Sequence, residues 1–335
     1  MKYRLLPALL LPAAFATAQP TARPPQTIAL PPELADKNNQ FSGLYLHGRE
    51  LLLLSESRLQ EQAEAKVYGL PLASLNRQLT GQPRELPYHK YPIRGLDQLR
   101  ARIDSLGQVY EGLESLTVLN GELYFTVETA TAAPYCYLIK GRFDAAHTAI
   151  QLDPAYLVTL AKPALPNGAH VYNAGFEALA RYRRHLLLLF EYNAFPPDNK
   201  ALLLPAAATR PTQVQSVPVA ALPFRVTDMV RTGRGRYTAI NYFFNGPDDS
   251  VYRPAPTDAS SRLVLDSAGR YQNYCRLVSL RYRRRKLRWE PLLELPRSYM
   301  TYNWEGLAAY RGGYFLLNDK YGPSGQSTLL YIKQK

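Results

Sequence analysis

The chain has 335 residues, of which 46% are hydrophobic, and its formal net charge is +13. The length suits one large domain as well as two small ones, and the basic excess favours attraction to anions without deciding the fold. Beyond the N-terminal region no segment is long and apolar enough to span a bilayer, which excludes a helical integral membrane protein.

The N-terminus has the pattern of a secretory signal. Lys2 and Arg4 precede an apolar run from Leu5 to Phe15, and Ala16-Thr17-Ala18 provides a small-x-small cleavage site. We therefore expect an exported protein, periplasmic or extracellular, for which nucleic acid is not a physiological partner. The predicted organisation is a signal peptide over 1–18, a Pro-rich flexible leader over 19–26 and a single domain over 27–335.

A unit recurs five times along the rest of the chain, and its polar positions keep one spacing. Each copy begins with an apolar residue followed by an oxygen-bearing side chain, namely Ser42, Glu114, Glu177, Thr227 and Glu305. Fourteen residues after these stand Glu56, Glu128, Glu191, Asn241 and Asp319. An apolar run and a turn such as Asn120-Gly121 lie between the two positions, so each copy predicts a β-hairpin.

Further strand patterns predict sheets of four strands. A third strand follows every hairpin, for example at Lys66 to Leu70, and a fourth is clearest at Val217 to Pro223 and Pro291 to Pro296. The last copy ends after its third strand, and residues 26–31 resemble the missing fourth strand. The sequence thus predicts an all-β fold, a five-bladed β-propeller in which the N-terminal strand closes the last blade.

Two segments depart from the repeat. The long gap before the last copy leaves a sixth blade possible near residues 261–277, although an inserted hairpin with a turn at Asp266-Ser267-Ala268-Gly269 is favoured. Apolar residues at helical spacing predict one short helix within residues 94–107. Cys136 and Cys275 occupy similar strand contexts in non-adjacent copies, so we expect them to lie too far apart for a disulfide.

The repeated polar position predicts a metal site. In a propeller the start of each innermost strand lines the central channel, and three glutamates converging there repel one another unless a cation offsets their charge. Ca²⁺ accepts about six to eight hard oxygen ligands, whereas zinc and copper favour His and Cys, which are absent from these positions. The alternative is a set of polar channel residues bonded to backbone and water. The predicted Ca²⁺ ligands are Ser42, Glu114, Glu177, Thr227 and Glu305.

The two ends of the predicted ring differ in charge. The residues fourteen positions after the predicted Ca²⁺ ligands should lie at the same end of the ring and form a wider polar ring there. The alternative is that they only cap strands or form ion pairs. The turns at the other end carry many arginines, including the run from Arg281 to Arg288. This distribution predicts either ordinary solvated turns or a basic face that docks on an anionic surface such as an acidic cell-surface glycan.

The motifs also resemble a known family. The Trp304-Glu305-Gly306-Leu307-Ala308 start, the order Ser, Glu, Glu, Thr, Glu and the fivefold repetition resemble the calcium-activated apyrases, or soluble calcium-activated nucleotidases. Glu-Gly-Leu starts also resemble bacterial phytase-like and esterase-like propellers. Over residues 41–333 the resemblance implies one channel Ca²⁺ and cleavage of nucleoside di- and triphosphates. Where an apyrase has Asp-Asp-Arg this chain has Ser55-Glu56-Ser57-Arg58, so Glu56 and Arg58 are comparable.

Three functions stay open at this point. The first is a Ca²⁺-dependent hydrolase of a phosphoester or phosphoanhydride, acting on an anionic, phosphorylated small molecule. The second is a non-catalytic, calcium-stabilised binding module, and in either case we expect a monomer. The third is an esterase or lactonase whose base would be His89 or His170. Gly-x-Ser-x-Gly and His-Glu-x-x-His motifs are absent. The candidate catalytic residues are Glu56, Arg58, Glu128 and Glu191.

Overall fold

The structure, a computed structural model, describes residues 24–56, 65–82, 84–195, 199–321 and 325–334. These residues form twenty strands and three short α-helices, which confirms the mostly β prediction. No helix among them is long and apolar enough to cross a membrane. The predicted signal peptide and Arg58 lie outside the described residues.

The strands are rich in Leu, Val, Tyr and Phe, whose side chains pack well on a pleated sheet. In chain order the strands are β1 (Gln26–Ile28), β2 (Phe41–His47), β3 (Glu50–Ser55), β4 (Lys66–Pro71), β5 (His89–Arg94), β6 (Tyr110–Leu119), β7 (Glu122–Thr129), β8 (Tyr135–Phe143), β9 (Ile150–Ala161), β10 (Ala178–Tyr182), β11 (His185–Leu189), β12 (Asn199–Pro205), β13 (Gln215–Val219), β14 (Arg225–Gly233), β15 (Arg236–Phe243), β16 (Tyr274–Arg283), β17 (Lys286–Glu294), β18 (Trp304–Tyr310), β19 (Gly313–Tyr321) and β20 (Gln326–Lys333). The α-helices are α1 (Pro32–Ala35), α2 (Leu72–Leu79) and α3 (Leu96–Ser105).

The first sixteen strands after β1 form four antiparallel runs of four. The runs β2–β5 and β6–β9 share one eight-stranded sheet, and β10–β13 and β14–β17 share another. A short parallel contact between outer strands joins each pair of runs, at Ile93 with Ile150 and at Val219 with Leu287. Apart from these two contacts, all pairing inside the sheets is antiparallel, as expected for hairpins with short turns.

The last run needs a strand from the other end of the chain. Its order is β18-β19-β20-β1, and β1 pairs antiparallel to β20 with Gln26 opposite Tyr331 and Ile28 opposite Leu329. This pairing confirms that the N-terminal strand completes the last repeat. It also places Gln26 in the sheet and not in the predicted leader over 19–26.

The five runs stand side by side in a closed ring. Their first strands, β2, β6, β10, β14 and β18, contact one another in cyclic order, with β18 next to β2. Five hydrophobic clusters fill the spaces between neighbouring runs. The core therefore follows the ring, and each sheet is stabilised by burial of apolar surface on both of its faces.

Two local predictions have different outcomes. α3 lies within residues 94–107, which confirms the predicted helix. The segment between β15 and β16 does not form the favoured hairpin. It forms two 3-10 helices, Pro247–Tyr252 and Ala259–Val264, and a single bridge between Leu265 and Tyr271 around the predicted turn. Among the described residues this insertion forms no further four-stranded run.

Replacing Ile28 by Ala tests whether β1 holds the last run closed. Ile28 is 2% exposed and belongs to the cluster between the first and last runs. We expect the free energy of unfolding, measured by urea denaturation, to fall by about 2–5 kcal/mol, the usual cost of truncating a buried Ile. Thr27→Ala, at the exposed neighbour on the same strand, should cost less than about 1 kcal/mol. Equal losses in the two variants would contradict the role given to β1.

Candidate functional site

Irregular strand pairing occurs at the repeated polar positions. In four runs the pairing of the inner strand with its neighbour skips the polar residue itself, and such bulges re-aim a side chain. The skipped positions include Ser42, Glu114, Thr227 and Glu305. In the remaining run Glu177 directly precedes β10.

A cavity of about 590 Å³ lies at the end of the ring where the inner strands begin. Residues from all five runs line it, including Ser42, Arg225 and the aromatic rings of Tyr242 and Phe244. The carboxylates in its lining are Glu56, Glu114, Glu128, Glu177, Glu305 and Asp319. The two predicted rings therefore share one cavity, whereas Thr227, Glu191 and Asn241 are not part of its lining.

The two hydroxyl groups of the predicted metal set link neighbouring inner strands. Ser42 Oγ donates to the carbonyl oxygen of Leu113 at 2.5 Å, and Thr227 Oγ1 donates to that of Trp304 at 2.6 Å. Each acceptor directly precedes the polar residue of the next run. These hydrogen bonds give both hydroxyl groups a role in closing the ring, and Thr227 has that role outside the cavity lining.

Three carboxylates form a compact cluster at the cavity wall. Glu56, Glu114 and Glu128 each place one oxygen within 4.8 Å of the other two, and all three side chains are buried. A glycine makes this approach possible: a Cβ added at Gly112 would lie 2.6 Å from Glu56 Cγ and 2.9 Å from Glu114 Oε1. The cluster thus combines one predicted metal ligand with two predicted catalytic residues.

The backbone of Glu56 holds the cluster across two runs. Its N–H donates to the carbonyl oxygen of Gln40 at 2.8 Å, within the first run, and its carbonyl oxygen accepts from the N–H of Leu113 at 2.7 Å, in the second. Glu191 repeats this arrangement with Gly175 and Val226 at 2.9 Å each. In these two copies backbone hydrogen bonds thus fix the residue that stands fourteen positions after the first polar position.

Burial makes the carboxylates of this cavity hard to ionise. Desolvation, together with the smaller effect of the Glu191 and Glu56 charges, raises the pKa of Glu128 to about 8. Desolvation and the neighbouring Glu191 also raise the pKa values of Glu177 and Glu305 well above the ordinary carboxyl value. Glu128 Oε1 and Glu177 Oε2 are buried without a hydrogen-bond partner. Such oxygens are satisfied by a shared proton or by a bound cation.

Lysine compensates this acidic group only in part. The Lys162 side chain is buried, and its charge lowers the pKa of Glu128, but less than burial and the nearby carboxylates raise it. Its Nζ donates to the carbonyl oxygens of Thr129 at 2.6 Å and Ala130 at 3.1 Å. The ammonium group is thus held by backbone and has no direct hydrogen bond to the cluster.

Glu191 has a different environment from the other predicted catalytic acids. It is ion-paired with Arg225, and it accepts a hydrogen bond from the Tyr252 hydroxyl at 2.7 Å. Arg225 also pairs with Asp249, and its guanidinium lies 4.3 Å from the centre of the Tyr252 ring. The insertion after β15 supplies Asp249 and Tyr252, so it fixes an arginine in the cavity wall and occupies Glu191.

The other predicted polar residues are placed as follows. Asn241 donates to the carbonyl oxygens of Pro223 and Arg225 and accepts from Arg276 at 2.8 Å, which gives it a structural role. The esterase or lactonase alternative needs His89 or His170 at the cavity, and the structure places neither there. His89 bonds Glu50 at the start of β3, His170 bonds a backbone carbonyl, and neither lines the cavity.

Asp228 is a buried acid that the repeat did not predict. Its carboxylate accepts hydrogen bonds from the backbone N–H groups of Met229 and Leu307 at 2.6 Å and of Leu44 at 3.4 Å. These bonds join three runs. Burial raises its pKa to about 8 despite these hydrogen bonds. The sequence signal was present: the equivalent residues of the other copies are small, namely Gly43, Ser115, Ala178 and Gly306.

Comparison with known proteins leaves the activity undetermined. The sequence matches no protein-family model and no curated protein. A β-xylosidase structure has a TM-score of 0.49 at 8% identity, covering 89% of this chain and 93% of that chain. A GH43 enzyme from Xanthomonas citri complexed with xylose has 0.47 at 9%, covering 91% and 88%. A glucose dehydrogenase has 0.44 at 12%, covering 90% and 98%. All three TM-scores lie below 0.5, and the resemblance to the apyrases stays a prediction.

The raised pKa values predict a stability that falls with pH in metal-free buffer. Glu128 has a folded pKa of about 8 and a reference value of 4.5, so the folded chain holds a proton that the unfolded chain loses between these pH values. The free energy of unfolding should therefore fall as pH rises from about 5 to 8. Glu128→Gln should flatten this profile and stabilise the protein at pH 8 by roughly 2–4 kcal/mol.

Urea denaturation in EDTA between pH 5 and pH 9 measures this difference. Asp228 should leave part of the slope in place, because its pKa is also about 8. Glu85→Gln, at an exposed acid away from the cavity, is the control and should reproduce the profile of the unmodified protein. Parallel profiles for the Glu128 variant and the unmodified protein would show that Glu128 does not hold this proton.

Proposed function

We propose that this chain is a five-bladed β-propeller that binds Ca²⁺ at the mouth of its central channel and uses this centre to hydrolyse a phosphoester or phosphoanhydride. The observation that carries the proposal is the buried cluster of Glu56, Glu114 and Glu128 in the wall of a cavity. The five antiparallel runs, their cyclic contacts and the clusters between them support the five-bladed architecture.

The donor atoms at the cavity suit a hard cation. The three clustered carboxylates supply oxygen ligands, and Ser42 Oγ keeps lone pairs available because it donates its own proton to Leu113. Within the described residues no histidine or cysteine lines the cavity, which favours Ca²⁺ over zinc or copper. A cation would replace the protons that the buried carboxylates otherwise share.

Proton transfer in this cavity falls to carboxyl groups, because the lining holds no histidine among the described residues. A bound Ca²⁺ would supply the positive charge that holds phosphate oxygens. Glu177 lines the cavity but is not part of the three-carboxylate cluster, and burial with the nearby charge of Glu191 raises its pKa well above the ordinary carboxyl value. We assign it as the proton donor to the leaving group. Arg225, held by Glu191 and Asp249, positions the anionic part of the substrate.

A second candidate is a non-catalytic module in which Ca²⁺ only stabilises the ring. The favouring observation is that the cluster spans two runs: Glu56 follows β3, whereas Glu114 and Glu128 lie on β6 and β7. A cation held by all three would join neighbouring sheets whether or not a substrate binds. The esterase or lactonase alternative has no such support, since its candidate histidines lie away from the cavity.

Ca²⁺ binding is tested by calorimetric titration at pH 8. We expect one site, an increase in Tm of several degrees at saturating Ca²⁺, and proton release on binding, because ligand bound only to the folded state stabilises it. Glu114→Gln should weaken the affinity at least about ten-fold, since it removes a charged ligand. Without metal this variant should be no less stable than the unmodified protein, because it relieves carboxylate repulsion.

Glu85→Gln should leave Ca²⁺ affinity unchanged, since Glu85 is exposed and outside the cavity. Identical melting curves in EDTA and in millimolar Ca²⁺ would overturn the metal site itself.

Hydrolysis is tested with nucleoside di- and triphosphates, a sugar phosphate and phytate. Turnover should vanish with chelator and return with Ca²⁺. Glu177→Gln should lower kcat by about 10²–10⁴, the usual contribution of a general acid, while Ca²⁺ affinity changes little. A protein that binds Ca²⁺ but hydrolyses none of these substrates would favour the non-catalytic module.

A further inference from the structure

A ladder of basic side chains crosses three strands near the end of the ring opposite the cavity. Arg236 on β15 lies opposite Arg281 on β16, which lies opposite Arg288 on β17. The next row pairs Arg283 with Lys286. Residues directly opposite one another, and residues two apart on one strand, point to the same face of a sheet. The five cations therefore share one face.

This basic ladder is costly for the fold. All five side chains are exposed, and none forms an ion pair with any residue in the described part of the chain. Like charges directly opposite one another destabilise a sheet. The hairpin tip adds strain, because Arg284 and Arg285 have φ values of 52° and 60°, a region that favours Gly and Asn. The stability of the fold therefore explains neither the facing cations nor the two arginines at the hairpin tip.

The opposite face of the hairpin anchors it. Leu287 is buried, and Tyr282 packs edge-to-face against Tyr182 of the neighbouring run with ring centres 4.7 Å apart. The arginines thus stand on a packed scaffold, so binding an anion there does not require the hairpin to become ordered.

The shape of the surface indicates the kind of anion. Arg281, Arg283, Arg284, Lys286 and Arg288 line a cavity of about 440 Å³, so the surface is concave. A concave row of cations fits a chain better than a flat membrane. The hairpin also lacks exposed apolar residues that would insert into lipid, since Tyr282 and Leu287 face the core. Guanidinium groups bind sulfate and carboxylate in a bidentate manner.

We propose that the basic ladder is a binding surface for a linear acidic polysaccharide that carries sulfate or carboxylate groups. The predicted signal peptide supports a polysaccharide over a nucleic acid as the polyanion, because export would place the chain outside the cytoplasm. This inference does not depend on the cavity or on Ca²⁺, since the two surfaces use different residues.

The test measures binding to immobilised heparin, a sulfated polysaccharide, at several salt concentrations. A triple variant, Arg281→Gln, Arg283→Gln and Arg288→Gln, should bind at least about ten-fold more weakly, with a smaller salt dependence, because fewer counterions are released. Its Tm should not fall, since the change removes like-charge contacts. Ca²⁺ affinity should stay unchanged, so failure here is distinguishable from failure of the proposed metal centre.

The matched control removes three exposed arginines elsewhere, by Arg84→Gln, Arg142→Gln and Arg262→Gln. It should bind heparin within about two-fold of the unmodified protein. Equal losses in the two triple variants would show that net charge, and not the ladder, drives binding, and would overturn the proposal. Tighter binding to anionic lipid vesicles or to a single-stranded oligonucleotide than to heparin would also overturn it.

Discussion

Closure of the ring is the constraint on which the rest of the structure depends. β1 completes the sheet of β18–β20, and each run then has a neighbour on both sides against which to bury its apolar face. Side-chain hydroxyl groups and the Asp228 carboxylate add hydrogen bonds between inner strands. Because the inner strands are held in a ring, the residues at their starts lie around one cavity.

The carboxylates that meet at this cavity lower the stability of the fold, and the same groups are suited to bind a cation. A buried carboxylate loses its hydration, and several such groups close together repel one another. Both effects raise the pKa values of Glu128, Glu177 and Glu305 above the ordinary carboxyl value in the metal-free protein. The same arrangement gives a hard cation a ready set of oxygen ligands. The exposed basic ladder is a similar case. Its like charges lie opposite one another and lower the stability of the sheet, while the same charges suit the proposed binding of an anion.

The repeat was enough to predict the sheets and the six carboxylates of the cavity lining. Fixed spacing places equivalent residues at equivalent points of each run, so Ser42, Glu114, Glu177 and Glu305 were correctly grouped before the fold was known. Asn120 and Gly121 were also recognisable as a turn, and both have positive φ. Periodicity of this kind carries information about every contact that the copies share.

Contacts that occur once were not accessible in the same way. The pairing of Arg225 with Glu191 and Asp249 depends on an insertion that only one copy has, and nothing in its sequence indicates how it folds back. The hydrogen bond of Thr227 to Trp304 depends on the distance between two separate strands. Single long-range contacts are set by tertiary packing, which local patterns do not encode.

The parallel contact between β5 and β9 has a consequence for the acidic cluster. It joins the first two runs at the outer rim, while the Glu56 carbonyl joins the same runs at the centre through Leu113. The two runs that hold Glu56 against Glu114 and Glu128 are therefore joined both at the outer rim and at the centre of the ring. Repulsion among the carboxylates cannot be relieved by separating these two runs, so the three oxygens stay within 4.8 Å of one another. A cation bound there, as proposed above, would find its ligands preorganised.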